Sequence, residues 1–80
     1  MNKEKVEEEV LRVFEKFTGQ QEVNVNCYIF TDIELDSLDL IEIVMEIEDV
    51  LDISIDNDMF DKCRIVQDIV DMSFDLVKDK

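Results

Sequence analysis

Apolar residues recur at Val6, Val10, Val13, Phe14 and Phe17, the i, i+4, i+7, i+8, i+11 spacing that lines one face of an α-helix. Thr18-Gly19-Gln20 ends that period, with Gly19 placed to cap the helix C-terminus. From about Gln21 to Leu35 the pattern loses its helical period. Val23 to Val25 has the composition of a strand but no second strand to pair with, so the stretch reads as a long ordered loop, pinned to the core by Tyr28, Ile29 and Phe30. A second helix opens with Asp36 as a carboxylate N-cap and Ser37 as its first residue, and runs to about Leu51. The run from Asp52 to Asp58 breaks it, because Ser, Asn and Asp compete for backbone hydrogen bonds. Met59-Phe60 fits one short helical turn. A last helix from about Ile65 to Val77 turns Ile65, Val66, Ile69, Val70, Phe74 and Val77 inward. The expected fold is all-α: a small four-helix bundle, three main helices plus one short helix, with a long loop between helices one and two. One domain spans residues 1–80.

The second helix carries more apolar surface than a bundle needs. At ~100° per residue, Leu40, Ile43, Val44, Ile47, Val50 and Leu51 share an inward arc. Asp39, Glu42, Glu46 and Asp49 lie roughly opposite. A third arc, Leu38, Ile41 and Met45, falls between them on the side away from the core. One apolar stripe suffices for a surface helix. The third arc therefore either packs under the long loop or forms a contact patch rimmed by carboxylates.

Charge sharpens that choice. Eight Lys and Arg stand against 22 Asp and Glu, a net charge of −14, and no Lys or Arg occurs between Phe17 and Asp61, where 13 acidic residues fall. Such a balance excludes a nucleic-acid binder and argues against adhesion to anionic membranes. It points to partners with basic surfaces. The chain has no His, which removes the usual base for a Ser or Cys nucleophile and the commonest nitrogen ligand of zinc. Its single Gly cannot build a phosphate-cradling loop. Asp52, Ser54, Asp56 and Asp58 alternate like a calcium loop, but Asn57 stands where Gly is needed and Cys63 where Glu is needed. No metal site and no catalytic constellation is expected. Cys27 and Cys63 allow one disulfide, and their spacing better suits two buried thiols in a reducing compartment. With no signal-peptide pattern at Met1 to Lys5 and no apolar run of membrane-spanning length, the expectation is a soluble, cytoplasmic, monomeric, non-catalytic protein.

The stretch Phe30-Thr31-Asp32-Ile33-Glu34-Leu35-Asp36-Ser37-Leu38 resembles the acyl carrier protein pattern of an aromatic, two residues, then Asp-Leu-Gly-x-Asp-Ser-Leu. The likeness continues through Asp39, Glu42-Ile43-Val44-Met45, Ile47-Glu48-Asp49, Asp52 and Ile55, and reaches Ile65-Val66-Gln67-Asp68 in the last helix. It covers essentially the whole chain. The resemblance implies that Ser37 bears 4′-phosphopantetheine, donated from coenzyme A by a phosphopantetheinyl transferase, and that acyl groups ride on it as thioesters. Ser37 would then stand at a helix N-terminus, where backbone N–H groups favour a phosphodiester. It also implies docking by the second helix: Asp36, Asp39, Glu42, Glu48 and Asp49 toward basic residues of acyltransferases and synthases, with Leu38, Ile41 and Met45 as apolar contacts. Glu46 extends the acidic stripe, and a medium or long acyl chain would lodge among apolar residues between helices.

Three features depart from the family pattern. Glu34 replaces the Gly before the motif, Asp56 replaces a frequent Pro, and the small alanines of the core-facing helices are absent. Two readings stand beside a carrier for fatty-acid or related biosynthesis. One is a specialised carrier for aminoacyl, polyketide or short acyl units. The other is an unmodified acidic adaptor that docks through the same helix.

Overall fold

The computed structural model describes residues 2–19, 23–29 and 37–78; the side chain of Ser37 is also outside the description. Four helices occupy the described residues: α1 (Lys3–Thr18), α2 (Ser37–Leu51), α3 (Asn57–Asp61) and α4 (Val66–Lys78). Each follows from its sequence. Asn2 caps α1 by accepting the Lys5 N–H at 2.9 Å, and Glu4 and Lys16 sit at the ends that suit the helix dipole. Gly19 ends the helix in the left-handed region at φ 72°, where a side chain would be strained, and its N–H donates to the Glu15 carbonyl.

Helix α1 is the hub, packing against both α4 and α2. Val6, Val10 and Phe14 from α1, Ile43 and Ile47 from α2, and Val66, Ile69 and Val70 from α4 are almost wholly buried. Burying each such side chain contributes roughly 1.5–3 kcal/mol. Two ion pairs fasten the hub at opposite ends. Lys3 reaches Asp71 of α4 at 2.7 Å, and Lys16 reaches Glu46 of α2 at 3.1 Å. The Lys3 hydrogen bond, seconded by one from Gln67, holds the Asp71 carboxyl below its ordinary range.

Residues 23–29, the described part of the segment between α1 and α2, are anchored by backbone hydrogen bonds that the pattern did not announce. The carbonyls of Val25 and Cys27 accept the Gln67 and Val66 N–H groups, at 2.8 and 3.0 Å, and the Ile29 N–H donates to the Arg64 carbonyl at 3.0 Å. Tyr28 and Ile65 thereby form an antiparallel bridge. The pairing partner missing from the sequence reading is the approach to α4, and the loop in turn satisfies two N–H groups of that helix's first turn. Asp68 takes two more N–H groups, from Arg64 and Ile65. Of the three expected pins, Ile29 is wholly buried, whereas Tyr28 is 55% exposed and Phe30 lies outside the described residues. Val23 supplies the second apolar anchor.

Val50 corrects the inward arc of α2: it is 40% exposed, because it flanks the buried stripe of Leu40, Ile43, Ile47 and Leu51 rather than lying within it. Val44 is half-buried against the core rather than within it. Helix α2 closes on Asp52 at φ 54°, with the Ile53 N–H donating back to the Glu48 carbonyl at 3.1 Å, the six-to-one bond of a Schellman ending.

Candidate functional site

Ser37 is the first residue of α2, and the exposed ridge begins one residue later. Leu38, Ile41 and Met45 are 65%, 56% and 59% exposed, against 0% and 1% for Ile43 and Ile47 on the opposite side of the same helix. Three large apolar side chains at i, i+3 and i+7 thus stand outward together. That exposure favours the contact patch over packing under the loop. An apolar ridge of this kind marks a contact surface.

The acidic residues expected around it divide by environment. Glu42 and Asp49 are exposed, and Asp39 is half-exposed in the first turn. Glu46 is held by Lys16 from α1, so part of its charge is already answered within the molecule. Glu48 is drawn aside: its carboxylate Oε2 accepts the Ile55 N–H at 2.8 Å, toward the connector to α3. Asp36, the expected N-cap, lies outside the described residues. No basic residue occupies the last turn of α2. The field along the ridge is therefore negative.

Beside the ridge, a cleft of about 430 Å³ opens between α2 and α3. Leu40, Ile41, Val44 and Met45 form one wall, Ile55 and Phe60 the other, and Glu48, Asn57 and Asp61 add polar lining. Ile41 and Met45 belong to both ridge and cleft. Residues 55 to 61 were not singled out from sequence as part of a site. The signal was present in Ile55 and Phe60, two apolar residues set in an otherwise acidic break.

The cysteines are free, Cys27 half-buried and Cys63 buried. The bridge register sets Cys27 opposite Val66, three residues past Cys63. Burial pushes the Cys63 thiol up to about 11, which keeps it protonated at neutral pH. Among the described residues no group of three or more Cys, Asp or Glu could hold a metal ion, and no helix is long and apolar enough to cross a membrane.

These features describe a small helical domain with one acid-rimmed apolar face turned outward on α2 and a cleft next to it. The sequence profile of the family described as "Phosphopantetheine attachment site" matches residues 8–73. An acyl carrier protein of Cyanophora paradoxa is 34% identical over 56 residues, which are 70% of this chain and 54% of that protein. The chain spans about half the length of this curated relative. It belongs to the acyl carrier protein family, whose prosthetic group is 4′-phosphopantetheine and whose members act as carriers rather than catalysts. The residues present fit that group. Ser37 opens a 15-residue helix, whose N-terminal end favours a phosphodiester, and Leu38 beside it is exposed.

Proposed function

We propose that Ser37 is the attachment residue, and that the protein shuttles acyl groups as thioesters between enzymes of fatty-acid or related biosynthesis in the cytoplasm. The arm, when attached, supplies the thiol that carries the acyl group. This chain's own residues do the rest. The head of α2 presents Ser37 to a phosphopantetheinyl transferase. Leu38, Ile41 and Met45 supply apolar contact to it, and later to acyltransferases and synthases. Asp39, Glu42 and Asp49 steer basic surfaces to the ridge. The observation that carries this reading is the outward ridge of Leu38, Ile41 and Met45 starting one residue after Ser37.

The cleft between α2 and α3 is the place for the acyl group. Its bulky walls and polar lining favour a short or medium chain over a long one, which keeps the specialised carrier as a second reading.

Intact-mass measurement after incubation with coenzyme A and a broad-specificity phosphopantetheinyl transferase tests the assignment. Wild type gains one phosphopantetheine, and Ser37→Ala gains none. Modification mapped to Ser54 or Ser73 would overturn the choice of residue. No modification by several transferases would favour an unmodified adaptor.

A further inference from the structure

Helix α3 is a poorly anchored wall. None of its five residues is buried, and its N-cap residue Asp56 makes no side-chain capping hydrogen bond. A helix of that length has no stability of its own. What holds it is Phe60, half-buried against the core, and the residues just outside its ends, where Ile55 before it and Cys63 after it are buried. On the Ile55 side, Glu48 of α2 makes two contacts with the connector. The Glu48 carbonyl accepts the Ile53 N–H at 3.1 Å, and the Glu48 carboxylate accepts the Ile55 N–H at 2.8 Å. Main chain and side chain of one residue grip the connector at two points. Glu48, Ile55 and Phe60 of α3 also line the same cleft.

We propose that Glu48 is a positioning residue, a clasp that holds α3 against α2 and so governs how well the cleft shelters a carried acyl group. The cargo half of this proposal rests on the carrier reading above; the clasp half does not. A charge-assisted bond from a partly buried carboxylate to a backbone N–H is among the stronger single contacts available, and its loss leaves that N–H unpaired. The fully buried side chains come from α1, α2, α4 and the loop, none from α3. Release of the clasp therefore opens α3 locally, as a low-stability unit, while the bundle stays folded. Glutamine at this position keeps an acceptor oxygen; alanine does not.

Two measurements on wild type, Glu48→Ala and Glu48→Gln test it. The first is amide hydrogen exchange of the unloaded protein. In Glu48→Ala the amides of residues 55–61 exchange about tenfold faster, the factor that follows from losing one charge-assisted hydrogen bond, while those of α1 and α4 are unchanged and Glu48→Gln stays near wild type. The second is hydroxylamine cleavage of the thioester in acetyl-loaded and octanoyl-loaded forms. Acetyl is too short to reach far into the cleft and serves as the exposed reference. Wild type and Glu48→Gln cleave octanoyl more slowly than acetyl; in Glu48→Ala the ratio collapses toward one.

A destabilised but otherwise ordinary fold would speed exchange everywhere and leave that ratio intact. Unchanged exchange at residues 55–61 in Glu48→Ala overturns the clasp. Faster exchange with an unchanged octanoyl-to-acetyl ratio overturns its role in sheltering cargo. If no form can be loaded at Ser37, the carrier reading and the cargo role fall together, and the exchange result still decides the clasp.

Discussion

Two isoleucines on one helix separate what folds the protein from what it offers to others. Ile47 is 1% exposed in the middle of the core, and Ile41 is 56% exposed on the ridge. Ile47→Ala costs ~2–5 kcal/mol of stability, the range for deleting a large side chain from a packed core. Ile41→Ala loses little on folding and lowers the melting temperature far less. On the carrier function proposed above, it slows modification of Ser37 instead, because its contact is made only when an enzyme docks. Thermal melts and transferase rates on the two variants check the pair; equal loss of stability would return Ile41 to the core. Ser73 shows a contact-level feature that periodicity missed. It is wholly buried and its hydroxyl has no hydrogen-bond partner, because the inward face of α4 includes position 73 whatever residue occupies it.

At the scale of the helix, α2 combines a favourable start with an unfavourable end. Asp39 sits near its positive pole, but its last turn has no basic residue and carries Asp49, with Asp52 just beyond. Asp49→Lys therefore stabilises the isolated protein by ~0.3–1 kcal/mol, through the dipole and reduced repulsion. The same change weakens docking to basic partners, and that loss shrinks as ionic strength rises. A melt and a transferase rate at two salt concentrations show both effects; a variant that gains stability with no loss of rate removes Asp49 from the docking surface.

The helices were legible in the sequence because their apolar periods are strong, as in Val6, Val10, Val13 and Phe14, and because Gly19 and the Asp52 to Asp58 run punctuate them clearly. The ridge was legible as an arc, though its exposure was not, since a period gives direction and not cover. What stayed hidden depends on contacts between distant residues. The loop's partner at residues 64–67, the Lys16 to Glu46 pair and the turn of Glu48 toward Ile55 all join residues whose meeting no local pattern announces.

The molecule as a whole is a strongly acidic body with few internal answers to its charge. The net charge of −14 stands beside the six ion pairs seen among the described residues, so the acidic groups outnumber the basic ones available to answer them. Self-repulsion lowers stability at neutral pH and low salt. Raising the salt, or adding millimolar divalent cation, raises the melting temperature by screening and by binding to the folded state. A melt that does not move across that range would show the carboxylates to be better neutralised than the ion pairs indicate.

The placement of α1 has a consequence in time. Its apolar face is completed by α4, and Lys3 meets Asp71 across 68 positions of sequence. A growing chain that has emerged only through α3 carries Ser37 and the whole ridge, yet lacks Val66, Ile69 and Val70 to close the core. The core shared by α1 and α2 is complete only after α4 has emerged and packed against α1. Synthesis itself thus sets the earliest moment at which the core can close, because the helix that completes it is made after the ridge it supports.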